Sequence, residues 1–385
     1  MVYSLAIGII TFCQLIQSSI IPYELGPAGL GVFLKYLRYL AYLLVVLCIL
    51  SKPCYSKYTV YFGLLALGIG LLVAHYSGMT VLIVFLIALG MADSDYKKVA
   101  MSQFVIIAVL YFFIFIGSQI GLIDNWSFGL GSSRPRYCMG FFYPSHTTST
   151  FFALVLLFCY IKKDSLQIWH VVLISILNYW QYHYTDCRAG SMLALAAPLV
   201  VLLIKKDPLR SRINRSYILQ YAFPICAVLC LALTICYQHN AVNLEWLDKV
   251  LSTRLSRQAA AMDTYGINLF GQHIDWYGKG GAGYIVELDE ALLLDNYVDS
   301  SFIKVLLDRG IIAWFLVIAG FLSASAKAAK TGDTVLLVCL SFMALYCTVE
   351  QWMLNFANNP FLILIGNMFF KYSNTNKHFA ITKCS

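Results

Sequence analysis

AMSQFVIIAVLYFFIFIGSQIGL, residues 100–122, passes through 23 positions without one charged side chain. At 1.5 Å per residue, a helix of that length crosses the roughly 30 Å hydrocarbon core of a bilayer. Similar runs follow one another along the chain, near 3–22, 30–50, 58–74, 78–92, 147–161, 166–183, 189–204, 217–237, 309–326, 334–354 and 358–371. The composition agrees, with 60% hydrophobic and 12% charged residues. A soluble domain averages about 45–50% apolar and about 25% charged residues, and a chain of this size has no interior large enough for the excess. The sequence therefore predicts an all-α, polytopic integral membrane protein of about twelve transmembrane helices, a single membrane domain over 1–385.

The first run, Tyr3 to Ile21, has neither a basic start nor a small-residue cleavage site, so it reads as a retained helix rather than a signal peptide. The segments after every second run are SKPCYSK, DSDYKK, KKD, KKDPLRSRINRS, KAAKTGD and a tail carrying Lys371, Lys377 and Lys383. Together they hold 16 Lys and Arg against 5 acids, and the positive-inside rule then places both termini in the cytoplasm. The same rule accounts for the net charge of +8, so the charge does not point to nucleic acid. Two loops on the opposite side are long, at 123–147 and 238–300. The second can fold over the membrane mouth but is too short for an independent catalytic domain. Within it, Leu244–Met262 has helical periodicity with Trp246, Val250, Leu251 and Leu255 near one face, and KGGAG at 279–283 reads as a flexible break.

The outer side still carries 11 cations: Lys35, Arg38, Arg134, Arg136, Arg188, Lys249, Arg254, Arg257, Lys279, Lys304 and Arg309. They disobey the orientation rule, so each needs a local reason. Lys35 and Arg38 share one helical face, and Lys35 suits snorkelling to the headgroups. Arg38 lies deeper and fits a structural ion pair or an anion site equally. Arg188 sits in the turn TDCRAG, where pairing with Asp186 is the plain alternative, and Arg136 and Arg254 lie in the long loops. Taken together, these four arginines suggest a strongly anionic partner. A planar guanidinium grips phosphate with two donors at once and does not deprotonate, so a diphosphate headgroup fits. Asp299 opens DSSFIKVLLDRGII and Glu350 lies in TVEQWMLNF. Each carboxylate can pair with an arginine or act as a general base on a hydroxyl. His146 and His273 are further candidates, though a lone loop histidine more often serves as polar surface. The 12 cysteines are scattered, without a CxxC pair or a Cys/His cluster, so neither a zinc site nor a disulfide framework is expected. LDE at 288–290 is a chance-level match to a metal motif, and no metal or cofactor is expected.

Several patches resemble the bacterial polysaccharide polymerases of the flippase-and-polymerase pathway, relatives of the O-antigen ligases. In RYCMGFFYPSHTTSTFFAL at 136–154, Arg136, Gly140, Phe141 and Pro144 match that family, while Tyr143 and Ser145 stand where His and Asn are usual. TDCRAGSMLAL at 185–195 resembles its Ser-Arg motif, with Cys187 replacing the serine. STRLSRQAAAMDTYGINLFGQHI at 252–274 is similar to its Arg-Leu and closing Phe-Gly. VDSSFIKVLLDRGII at 298–312 and EQWMLNFANNPFLIL at 350–364 resemble its Asp-Asn-Ser-Tyr with a downstream glycine and its terminal Glu and Asn stretch. Ligases of the family usually carry histidine where this chain has Asp299, which favours a polymerase.

The resemblance implies a GT-C-like glycosyltransferase in the cytoplasmic membrane with its site facing outward and residues 238–300 as a lid. Its substrates would be two polyprenyl-diphosphate-linked oligosaccharides, such as undecaprenyl diphosphate carriers of O-antigen, capsule or exopolysaccharide units. A flippase and a chain-length regulator of the same pathway are the implied protein partners. Arg136, Arg188, Arg254 and Arg38 would bind the diphosphate, Asp299 would be the base, and Glu350 would hold an arginine or share the base role. The rival readings are a lipid-linked oligosaccharide flippase or transporter and an O-antigen ligase. No matching pair of Gly/Pro-broken spans supports transport.

Overall fold

Helix starts coincide with the polar segments between apolar runs, because a short polar side chain there can take up the free N–H groups of a first turn. In the computed structural model, which describes residues 1–52, 55–91, 94–128, 135–205, 207–276 and 296–370, Asp95 accepts from Lys97 N at 3.0 Å at the start of the 100–122 run. The elements are α1 (Val2–Gln17), α2 (Ile21–Glu24), α3 (Pro27–Leu50), α4 (Lys57–Ser77), α5 (Thr80–Gly90) and α6 (Tyr96–Gln119). Then come α7 (Pro144–Lys162), α8 (Ile168–Thr185), α9 (Arg188–Leu203), α10 (Asp207–Asn214), α11 (Tyr217–Gln220) and α12 (Ala222–Gln238). The last helices are α13 (Glu245–Val250), α14 (Arg254–Tyr265), α15 (Ser301–Lys330) and α16 (Thr334–Cys347), followed by a 3₁₀ segment, Pro360–Phe369. Ser56 and Asp333 cap α4 and α16 in the same way, accepting from Thr59 N at 3.1 Å and Leu336 N at 3.2 Å.

The structure is 76% helical. Five helices are long and apolar enough to cross a membrane: Gly29–Leu50, Lys57–Ser77, Tyr96–Gln119, Pro144–Ser165 and Ser301–Lys330. Shorter apolar helices accompany them, and α8, interrupted by His170, Asn178, Gln181 and His183, is long but less apolar. This is an architecture compatible with an all-α membrane protein. Burial sorts the helices into centre and rim. Only 17% of the most apolar stretch of α3 is buried inside the protein, and Phe33, Tyr36, Leu40, Leu43 and Leu47 are exposed there. For α7 the share is 78%, because α6, α8, α9 and α16 all pack on it. A second centre is α15, which packs on α4, α12, α16 and the 3₁₀ segment.

Several boundaries differ from the sequence reading. The expected span 334–354 ends early, at Cys347, and the chain runs to Asn359 through turns and one short 3₁₀ turn, Trp352–Leu354. Side chains replace the missing helical bonds there: Ser301 Oγ accepts from Met353 N at 3.1 Å, and Asn355 Oδ1 accepts from Ala357 N at 2.9 Å and Asn358 N at 3.1 Å. The expected span 358–371 becomes the 10-residue 3₁₀ segment, about 20 Å long at 2.0 Å per residue, buried among its neighbours. The span expected at 217–237 breaks into α11 and α12. That expected at 309–326 is part of α15, which kinks at Gly310 (φ 82°). Leu244–Met262 is not one helix: Ser252 (φ 57°) and Thr253 (φ 61°) turn the chain between α13 and α14, and Asp248 Oδ1 accepts from Leu255 N at 2.8 Å to cap α14. Trp246 and Val250 are consequently exposed while Leu255 is buried. Beside the helices, β1 (Ser127–Phe128) and β2 (Arg136–Tyr137) form a short antiparallel pair in the 123–147 loop. Arg134, Lys279, the KGGAG and LDE stretches, and Lys371, Lys377 and Lys383 lie outside the described residues.

Candidate active site

Residues far apart in sequence converge where β2, the α8–α9 turn, the start of α14, the start of α15 and the chain after α16 meet. Arg136 is set by the β-pair, in register with Phe128. The backbone behind it is fixed by Cys138 N donating to Trp126 O at 2.8 Å and by Thr147 Oγ1 donating to Cys138 O at 2.6 Å. Gly140 permits the next turn, having φ 81° and lying where a Cβ would be 2.8 Å from Ile114. Arg136 Nε donates to Thr185 O at 3.0 Å and Nη2 to Cys187 Sγ at 2.8 Å, with Tyr143's ring centroid 5.9 Å from the guanidinium. Cys187 thus stands where it can receive the arginine, and its burial pushes the thiol pKa up despite Arg136.

Arg254 opens α14 and lies between two acids. Its Nε donates to Asp299 Oδ2 at 3.0 Å, and its Nη2 is 3.7 Å from Glu350 Oε1. Asp299 is the more open acid, at 28% side-chain exposure against 12% for Glu350. Glu350 sits in the irregular stretch beyond α16. Burial, then the nearby Asp299 carboxylate, raises its pKa above the ordinary carboxylate range, outweighing Arg254 and Arg136. The N-cap of α15 is Ser300, so Asp299 serves the ion pair rather than the helix end. Ser301 Oγ donates to Glu350 O, which ties the start of α15 to the Glu350 turn.

A second junction fixes residues 268–272 to α15. At Gly310 the helix breaks, and the exposed backbone groups pair with residues 268–272. Ile311 N donates to Asn268 O at 3.0 Å, Ile312 N to Leu269 O at 3.2 Å, and Gln272 N to Asp308 O at 3.1 Å. Gly271 (φ 81°) and Gly310 (φ 82°) meet there, and a Cβ on either would strike the other strand's backbone. The two glycines, 39 positions apart, are thus one contact.

The other expected site residues go elsewhere. Arg188 is exposed at the first position of α9 and forms no ion pair with Asp299 or Glu350. Arg38 turns toward α1, where its Nη1 donates to Gln17 Oε1 at 3.1 Å. Lys35 is exposed beside Tyr39. His273 is exposed with Nε2 3.2 Å from Asp275 Oδ1. His146 is not loop surface: it lies in the first turn of α7, with Nδ1 3.4 Å from Ser18 O and its ring edge-on to Trp352 at 4.7 Å.

Sequence reasoning missed the residues beside the acids. Tyr297, Gln351 and Trp352 line the same junction, and Tyr346 OH is 2.7 Å from Ser149 Oγ behind it. Their adjacency to Asp299 and Glu350 was the available signal, hidden by a chain that is 15% aromatic. Among the described residues no group of three or more His, Cys, Asp or Glu could hold a metal ion. No family model matches the chain, and no curated protein or solved structure matches it.

Proposed function

We propose that this chain is a glycosyltransferase that polymerises polyprenyl-diphosphate-linked oligosaccharide units at the outer face of the cytoplasmic membrane. One observation carries the reading. The stretches that resemble the polysaccharide polymerases lie far apart in sequence, yet Arg136 meets Cys187, Arg254 lies between Asp299 and Glu350, and Gly271 meets Gly310. A chance set of loose matches would be scattered over a helical bundle. In this reading the chain crosses the membrane twelve times with both termini in the cytoplasm, and residues 238–300 cover a GT-C-like outward site.

The chemistry follows from the groups present. The bond between the anomeric carbon and the carrier diphosphate breaks, and the acceptor hydroxyl oxygen forms the new glycosidic bond. The hydroxyl proton passes to Asp299, whose Oδ1 is not engaged by Arg254. The diphosphate leaves with the electron pair, and the arginines stabilise its charge. Glu350 holds Arg254 from the buried side. Arg188, exposed at the rim, meets the incoming headgroup, and the flippase and chain-length regulator of the pathway are the expected partners.

The test uses full-length protein in liposomes with a lipid-linked repeat unit. Chain extension on the carrier supports the reading. Movement of the lipid across the bilayer without extension would establish a flippase instead. Transfer only to an acceptor lacking the diphosphate carrier would establish a ligase.

A further inference from the structure

We propose that Lys304 is an anion-binding residue of this site, forming with Arg136 the seat for the carrier diphosphate, while Arg254 positions the two acids. The inference rests on the polymerase reading for the identity of the anion. The observation behind it is an uneven distribution of countercharge.

Arg254 is neutralised by Asp299, with Glu350 3.7 Å from its other nitrogen. Arg136 and Lys304 are not neutralised: among the described residues neither makes an ion pair. Arg136 spends its donors on a backbone carbonyl and a thiol. Lys304 lies in the second turn of α15, part-buried, with Nζ 4.3 Å from the ring centroid of Tyr297, 5.0 Å from that of Trp276 and 2.7 Å from Gln351 Oε1. The acids that could pair with it are engaged elsewhere. Asp308, four residues along the same helix, accepts from Trp276 Nε1 at 2.7 Å, and Asp299 accepts from Arg254.

A part-buried ammonium held by two aromatic faces and one amide oxygen keeps a donor free, with the carboxylates of Asp308 and Asp299 near it but not paired with it. Such a charge is costly unless an anion completes it. The unused Lys304 donor therefore awaits an acceptor oxygen, and diphosphate supplies several on one headgroup. The positive end of α15 adds a favourable field for the same charge.

The experiment measures binding of geranylgeranyl diphosphate, and of geranylgeraniol as its uncharged counterpart, to full-length protein in nanodiscs. The Lys304→Met variant is expected to weaken diphosphate binding by about tenfold to a hundredfold, the scale of one charge-assisted hydrogen bond, and to leave the alcohol unchanged. Lys304→Arg should stay close to wild type. Lys249→Met, which alters an exposed charge, should have no effect. If wild type prefers the diphosphate and Lys304→Met binds it equally well, the Lys304 assignment is overturned while the polymerase reading stands. If wild type shows no preference for diphosphate over alcohol, the polymerase reading fails with it. Where Lys304→Met does not fold, Lys304→Gln is judged by the same criterion.

Discussion

Asp299→Asn removes a negative charge and little else, so it separates chemistry from architecture. In the wild type Asp299 Oδ2 accepts from Arg254 Nε at 3.0 Å, and both side chains keep partial solvent contact, 28% and 23%. Asparagine can present a carbonyl oxygen to the same donor. The structural loss is the difference between a charge-assisted and a neutral hydrogen bond, about 1 kcal/mol in a site of this exposure. For a chain this long that lowers Tm by only about 2–4 °C or less. The loss of helix capping does not enter, since Ser300 occupies the N-cap of α15. Removal of a general base lowers turnover by about 10²–10⁴-fold, which is about 3–5 kcal/mol of barrier. The expected loss of rate is therefore several times the expected loss of stability. Chain extension from lipid-linked repeats, binding of the donor lipid and thermal unfolding are measured on one preparation. Extension should collapse while binding and unfolding stay near wild type. The residual activity should also change its pH dependence. The Asp299 carboxylate helps raise the Glu350 pKa, so its removal lowers that pKa and moves the acid limb of the profile to lower pH. Near-normal extension in the Asn variant would refute the base assignment and transfer it to Glu350.

Four other outcomes are expected. Glu350 has a raised folded pKa, so the native state binds its proton more tightly than the unfolded chain does, and stability falls as pH rises from the ordinary 4.5 toward the raised value. Glu350→Gln should flatten that slope in thermal melts, and an unchanged slope would remove Glu350 as its source. Arg136→Lys loses the simultaneous bonds to Thr185 and Cys187, so chain extension should fall by about 10-fold or more, whereas Arg188→Lys, at an exposed position, should fall less. Equal effects would erase the distinction between them. Gly310→Ala puts a Cβ into Gly271 at a left-handed φ and should lower Tm and extension sharply, while Gly266→Ala, which shares positive φ but meets nothing within 4 Å, should cost only about 1–2 kcal/mol. Comparable unfolding of the two variants would contradict the junction's role. A cysteine at Val242 should react with a membrane-impermeant maleimide from outside the cell, and labelling from the cytoplasmic side alone would reverse the topology.

The helical layout was legible because long charge-free runs such as 100–122 permit few alternatives. The helix ends were less legible because they depend on partners brought by the fold. Nothing in the run 334–354 marks Cys347 as the last helical residue, since the substitutes for the missing backbone bonds come from Ser301 and Asn355. The site shows the same limit. Charge on the wrong side of the orientation rule drew attention to Arg136 and Arg254, but also to Arg38 and Arg188. That rule reports which end of a helix a cation occupies and says nothing about which helix face or which partner. The Arg254–Asp299 pair joins positions 45 apart, and Arg136 reaches Cys187 over 51. Likewise His146 was weighed as a loop histidine, whereas Pro144 begins α7 and the first turn of that helix packs the histidine against Trp352.

Irregular backbone and unpaired cations are both expensive in an apolar bundle, and this chain places them together. The stretch from Thr348 to Asn359 gives up helical bonds in a largely buried location, and Ser301, Asn355 and Asn359 are spent on repairing it. A continuous helix through the same residues would have needed none of those side chains. It would also have carried Glu350 past Arg254 on a fixed 3.6-residue spiral, with no freedom to bring Gln351 to Lys304 while Glu350 faces Arg254. The break lets three consecutive residues, Glu350, Gln351 and Trp352, meet three different surroundings. One faces a guanidinium, one an ammonium, and one packs its indole edge-on against the His146 ring. Packing alone does not require that arrangement, because apolar residues on an unbroken helix would fill the volume at lower cost. The local loss of regular structure is therefore best explained by a site that needs donors of both kinds held at one place.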